Sequence, residues 1–104
     1  MNLWSEIKKL EGKELHTLDR RKPLLVLEVA ADHVLIETSE NKTRYIRWAE
    51  IQESWDYLER HSQITRSKIM ESYSGFNSAY VAAIIANVGG VKHSIKPIIL
   101  RLEK

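Results

Sequence analysis

Apolar residues recur with two different periods along the first half of the chain. At the N-terminus they follow helical spacing, at Leu3, Trp4, Ile7 and Leu10. Gly12 stands where such a helix would end, so the pattern predicts an amphipathic helix over residues 2–11. Beyond Lys13 the chain turns to β-rich runs bounded by polar turns, at residues 24–29, 33–38 and 43–48. The sequence therefore predicts an antiparallel β-meander of three or four strands.

Alternation along these strands predicts how the meander divides its side chains between two faces. One predicted face carries Leu25, Leu27 and Val29 together with Val34 and Ile36. The other carries Leu24, Val26 and Leu35. Because both sets are apolar, we expect both faces of the sheet to be at least partly covered.

The second half of the chain returns to helical periods. Apolar residues at Trp48, Ile51, Trp55 and Leu58 predict a helix over residues 48–61. Thr65 is a good N-cap for a second helix over 66–74, and Ile64 and Ile69 are spaced to form a hydrophobic staple around it. Gly75 then supplies a left-handed stop.

A third helix is predicted over residues 78–88. Asn77 is its expected N-cap, Phe76 and Val81 its expected staple, and Gly89 with Gly90 its end. The remaining segment, residues 91–102, surrounds Pro97 with apolar residues and suits a hairpin or an edge strand.

The order of these elements over residues 48–102 resembles the winged helix-turn-helix superfamily. In that family apolar residues pack the two helices together, and the corresponding residues here are Met70, Val81 and Ile84. Glu71 departs from the pattern, because it stands where the family usually has a small residue. The family's second helix enters the major groove, and the hairpin after it touches the DNA backbone. The resemblance thus implies base contacts by Asn77, Ser78 and Tyr80, and wing contacts by Lys92, His93, Ser94 and Lys96.

The composition of the third helix limits what it can read. Alanines recur on one of its faces at helical spacing, at Ala79, Ala82, Ala83 and Ala86. Alanine offers a base edge only a methyl contact to thymine, so this face specifies little sequence. It allows close approach of another backbone, which leaves two hypotheses: burial within the chain, or an interface with a partner protein or a second copy.

Net charge is divided unevenly along the chain. Residues 1–59 carry 9 Lys and Arg against 12 Asp and Glu, a charge of −3, and residues 60–104 carry 7 against 2, a charge of +5. Such asymmetry suggests that the C-terminal half faces an anionic partner, or the acidic half of another copy of the chain. The cations expected to bind phosphate around the second helix and the wing are Arg60, Arg66, Lys68, Lys92, Lys96 and Arg101.

A second basic segment lies in the predicted meander. Lys42, Arg44 and Arg47 form a stripe there, and Tyr45 between them offers a ring on which a base can stack.

Catalytic and metal-binding patterns are weak. The four histidines are widely spaced, without the pairing used by helical zinc sites. Asp32 with Glu40-Asn41-Lys42 loosely matches a metal-dependent nuclease arrangement, but Glu40 and Lys42 fall in a polar turn instead of a buried strand. We therefore expect a protein that is not an enzyme, without metal or cofactor.

Length and composition suit one small folded domain. The 104 residues allow one core. We divide this predicted domain into residues 1–47, the helix and meander, and residues 48–104, the winged-helix-like part. The predicted class is α+β. There is no cysteine, no apolar run of about 20 residues and no signal-peptide pattern, so we expect a cytoplasmic protein.

Overall fold

The computed structural model describes residues 2–103. Its elements, in chain order, are α1 (Leu3–Lys8), β1 (Glu14–His16), β2 (Pro23–Val29), β3 (His33–Thr38), β4 (Thr43–Arg47), α2 (Trp48–His61), β5 (Gln63–Thr65), α3 (Arg66–Ser72), α4 (Ser78–Ala86), β6 (Val91–Ile95) and β7 (Ile98–Leu102). The strands form two antiparallel sheets, ordered β1-β2-β3-β4 and β5-β7-β6. The fold is thus α+β with an N-terminal helix and a four-stranded meander, as the sequence predicts.

Helix α1 is shorter than the predicted helix 2–11. The Asn2 side chain caps its first turn by accepting a hydrogen bond from the Ser5 backbone N–H at 3.1 Å. After Lys8 the chain continues in tight turns, and Gly12 adopts the left-handed conformation with φ of +83°. The indole of Trp4 donates to the Ala30 carbonyl at 2.9 Å, which ties the helix to the end of β2.

The predicted division of the meander into two faces is wrong for β2. Leu24 and Val26 are buried, whereas Leu27 is 38% exposed. The ladder between β2 and β3 shifts after Val26, so a β-bulge at Leu27 reverses the alternation and returns Val29 to the buried face. Val29 then lies opposite the buried Val34. The core side of the sheet therefore carries Leu24, Val26 and Val29 together, although strict alternation places Val29 on the other face.

Helix α2 spans the predicted residues 48–61, and it ends at Ser62 in the left-handed conformation with φ of +66°. The Thr65 hydroxyl accepts from the Lys68 backbone N–H at 3.0 Å, which confirms the predicted N-cap of α3. The helix then ends earlier than expected, at Ser72. Gly75 is not in the left-handed conformation, so its predicted role as the stop is wrong.

Two of the three predicted helix-packing positions are buried, and one is not. Val81 and Ile84 are fully buried, but Met70 is 44% exposed. The second staple is also wrong, because Phe76 points into solvent instead of packing on Val81. Helix α4 ends at Ala86, and Gly90 supplies a left-handed residue after it, with φ of +87°.

The C-terminal segment forms a hairpin and also pairs with a strand that the sequence patterns missed. Strands β6 and β7 are antiparallel, and β7 pairs on its other side with β5, placing Ile64 opposite Leu100. Buried apolar residues from both sheets and from all four helices belong to one cluster. Within the described part of the chain, no helix is both long and apolar enough to cross a membrane.

Candidate nucleic-acid interface

Helix α4 is a core element. Residues 81–85 are all buried, and the helix contacts the other two helices of the C-terminal part, α2 and α3, both strands of the hairpin and also β1 of the meander. Ala82 and Ala83 are among these buried residues, while Ala79 and Ala86 are half-buried. Since the chain itself covers two members of the alanine face, the interface predicted there has no continuous exposed surface.

The residues expected to read bases from the start of α4 are turned into the protein. Asn77 and Ser78 are buried. The Asn77 side chain does not cap α4; its Nδ2 donates to Glu50 Oε1 at 3.3 Å and to the Tyr45 carbonyl at 3.4 Å. Tyr80 is half-buried, and the guanidinium of Arg44 lies over its ring at 5.8 Å. Base contacts by Asn77 and Ser78 therefore do not fit this surface.

Glu50 organises the turn between α3 and α4. Its Oε1 accepts from the Ser74 hydroxyl at 2.6 Å as well as from Asn77. Its Oε2 accepts from the Arg47 backbone N–H at 2.8 Å, which closes the first turn of α2. A carboxylate with only 8% of its side chain exposed requires such partners. Among residues 2–103, Asn77 Oδ1 and Arg66 Nε are buried without a hydrogen-bond partner.

The turn held by Glu50 presents a phenyl ring to solvent. Ser74 and Asn77 are buried on its two sides, but Phe76 between them is 92% exposed. A cavity of about 460 Å³ opens beside this ring and is also lined by Tyr45 and Tyr73. We call this feature, formed by Tyr45, Tyr73 and Phe76, the aromatic notch.

Tyr45 enters the notch from β4 with one face already covered. Its ring stacks on that of His33, with centroids 4.4 Å apart and an angle of 19° between planes. His33 is held by Asp32 at 2.7 Å and by Glu28 at 3.2 Å. The hydrogen bond to Asp32 is the main cause that raises the pKa of His33 above its usual 6.5, and the pKa of Asp32 is lowered by the same bond.

The predicted wing is exposed and basic. Lys92, His93 and Lys96 are exposed on the hairpin, whereas Ser94 is half-buried. Lys92 lies directly opposite Arg101 in the ladder between β6 and β7. Glu103 is 3.8 Å from the Lys92 ammonium group, an exposed ion pair of the kind that contributes little.

Two of the other predicted cations, Arg66 and Lys68, lie in the first turn of α3, but their side chains have different neighbours. Arg66 lies 3.7 Å from Asp19 and borders two cavities of about 480 and 350 Å³. The ammonium group of Lys68 lies over the ring of Tyr57 at 5.1 Å. Arg60 is exposed near the end of α2. Arg66 and Lys68 therefore have different neighbours, whereas Lys92 and Arg101 of the wing face each other across the ladder.

Arg44 and Arg47, which the sequence predicts to form one stripe, lie on opposite faces of β4. Arg44 and Arg47 are both exposed, but Arg44 faces Tyr80 while Arg47 lies on the same face of β4 as Tyr45. Lys42 is exposed in the turn before the strand. Sequence patterns identified Tyr45 and its neighbouring arginines, but they missed Phe76, which had been assigned to a staple.

The nuclease arrangement is not assembled. Asp32 precedes β3 and pairs with His33, whereas Glu40 and Lys42 lie in the turn after that strand, at its opposite end. Within residues 2–103 no group of three or more histidine, aspartate or glutamate side chains is placed to hold a metal ion.

No protein-family model matches this chain, and comparisons with curated proteins and with solved structures also found no significant match. Any functional assignment therefore depends on the surface chemistry described above.

Proposed function

We propose that this chain is a small, non-enzymatic nucleic-acid-binding protein of the cytoplasm that holds its ligand mainly through phosphates, as a regulator or accessory subunit. Two features of the fold support a winged-helix-like arrangement for residues 48–102. The elements follow the order helix, strand, helix, helix and hairpin, and the first strand pairs with the last, giving the order β5-β7-β6. The hairpin then corresponds to the wing that touches the nucleic-acid backbone.

The observation that carries the proposal is the exposed pair of cations on this hairpin. Lys92 and Arg101 face each other across the ladder, an arrangement of like charges that destabilises a sheet. A phosphate group bound between them would offset that repulsion. Lys96 adds a third exposed cation at the turn, at the other end of the hairpin, and Glu103 beside Lys92 is an exposed counter-ion.

The proposed binding mode is weakly selective for sequence. Phosphate contacts position a protein on nucleic acid and carry no direct base information. Because Asn77 and Ser78 are buried, the half-buried Tyr80 is left as the polar side chain of α4 with access to a ligand. We therefore expect similar affinities for unrelated sequences.

The test is a salt titration of labelled duplex binding with Lys92→Glu and a matched charge control. The logarithm of the association constant should fall linearly with the logarithm of salt concentration, with a slope of about −0.9 per phosphate contacted. Lys92→Glu should weaken binding to every sequence alike and reduce that slope by about 1. Lys13→Glu makes the same charge change at an exposed residue of the acidic half and should have little effect. Salt-independent binding, or equal losses in both variants, would contradict the proposal.

A further inference from the structure

We infer that the aromatic notch binds an unpaired nucleobase, by stacking it on Tyr45 and Phe76, while Arg47 contacts the adjoining phosphate. This inference depends on the proposed function, and it adds a site separate from the wing. The form of ligand that this site selects is single-stranded DNA or RNA.

The exposure of Phe76 is built into the fold. Phenylalanine is commonly buried, yet this ring is 92% exposed while Ser74 and Asn77 in the same turn are buried. Ser74 and Asn77 both donate to the buried carboxylate of Glu50. Because the turn is anchored on both sides of Phe76, the ring is presented from a fixed backbone instead of a loose loop.

The same anchor brings Phe76 to Tyr45. Asn77 Nδ2 donates to the carbonyl of Tyr45 as well as to Glu50, which fastens the turn to β4. The two rings consequently line one cavity of about 460 Å³, within the size range of small-ligand sites. His33 covers one face of Tyr45, and 52% of the tyrosine remains exposed, so an incoming base would extend an existing stack.

One exposed cation, Arg47, borders the notch. Its Nε lies 3.7 Å from the buried carboxylate of Glu50, which lines the same cavity and is already held by Ser74 and Asn77. Arg47 lies on the same face of β4 as Tyr45, two positions along, and 70% of its side chain is exposed. A groove that combines cations with exposed rings is the arrangement by which proteins hold single strands without strong sequence preference. Bases stacked inside a duplex cannot reach such a site.

The experiment compares labelled oligothymidylate and oligouridylate of about 12 nucleotides, a length within the range of single-strand binding sites, with a duplex of similar length. Phe76→Ala and Tyr45→Ala should each weaken binding of the single strands about tenfold, the range expected from losing one base–aromatic stack. Phe76→Trp and Tyr45→Phe keep a ring and should retain affinity. Duplex affinity, which depends on the wing, should be unchanged. Comparing the two oligomers shows whether DNA or RNA is preferred.

Leu27→Ala is the matched control. It removes an exposed apolar side chain from β2, at a residue that does not line the notch, and should leave affinity unchanged. Circular dichroism of each variant checks that the fold is retained. The inference is overturned if Phe76→Ala leaves single-strand affinity unchanged, if it weakens duplex and single strand equally, or if it instead abolishes self-association in light scattering. If the wild-type chain binds no nucleic acid, the proposed function is overturned as well. If duplex binding is intact and Phe76→Ala leaves single-strand affinity unchanged, this inference alone is overturned.

Discussion

Helix α4 is more buried, and strand β4 is more exposed, than the position of each element in the fold suggests. In the winged-helix-like arrangement that we propose, the helix corresponds to the one that reads DNA, yet residues 81–85 are all buried. The strand belongs to a four-stranded sheet, yet only Ile46 among its five residues is buried. The polar and aromatic groups suited to a ligand therefore lie on the strand, and the helix supports the core.

The difference follows from what covers each element. Helix α4 contacts α2, α3, both strands of the hairpin and β1 of the meander. Elements from both halves of the chain therefore cover it. Strand β4 stands at the edge of its sheet, with Tyr45 and Arg47 on the face turned away from the core.

The largest expected effect comes from placing a charge on each element in turn. Ala83→Arg would bury an unpaired guanidinium, since Ala83 has no exposed surface, and we expect a loss of about 3 kcal/mol or more in the free energy of unfolding. Thr43→Arg makes the same addition at an exposed residue of β4 and should change stability by less than about 0.5 kcal/mol. Urea unfolding measures both variants. A folded Ala83→Arg monomer derived from a dimeric parent would instead favour the hypothesis that the alanine face is an interface.

A smaller effect is expected from removing the carboxylate of Glu50, which holds the turn before α4 through Asn77, a residue that also bonds to β4. Glu50→Ala would leave the buried Ser74 hydroxyl and Asn77 amide without their acceptor, so we expect a loss of about 2 kcal/mol. The matched control is Glu53→Ala, at an exposed residue of the same helix. If thermal unfolding gave equal stabilities for the two variants, Glu50 would not be the anchor of the notch.

The smallest effect concerns the histidine beneath Tyr45. His33 should titrate above 6.5, because the hydrogen bond to Asp32 favours its protonated form. The stability that follows from the raised pKa of His33 is fully present below the unfolded-state pKa of the histidine and is lost as pH rises through its higher folded-state pKa. At low pH it is lost again when Asp32, whose pKa is lowered, becomes protonated. Proton NMR of the imidazole should show the raised pKa, and Asp32→Asn should lower it. An unchanged titration in that variant would reject Asp32 as the main cause.

The parts of the fold that were predicted correctly depend on local patterns. Helix α2 was assigned its full length because Trp48, Ile51, Trp55 and Leu58 keep an unbroken helical period. The Thr65 cap was recognised for a similar reason, since its hydroxyl bonds the backbone only three residues away. Interactions of this range can be recognised in a short window of sequence.

The parts that were predicted wrongly depend on distant contacts. Asn77 was expected to cap its own helix, but its partner is Glu50, 27 residues earlier. The bulge at Leu27 reversed the face of Val29 without a glycine to mark it. Spacing predicts a staple for Phe76, because spacing alone cannot distinguish a buried ring from an exposed one. Alanine was equally ambiguous in α4, because it suits both close packing and an exposed face.

A titration of the backbone amide NMR spectrum with single-stranded oligothymidylate distinguishes the two regions in one experiment. We expect chemical-shift changes at Tyr45, Arg47 and Phe76 and along the hairpin at Lys92 and Arg101. Amides within residues 81–85 of α4 should stay almost unchanged because the chain buries them. Changes concentrated in α4, with β4 and the hairpin unaffected, would overturn the proposal that nucleic acid binds the strand and wing surfaces while the helix supports the core.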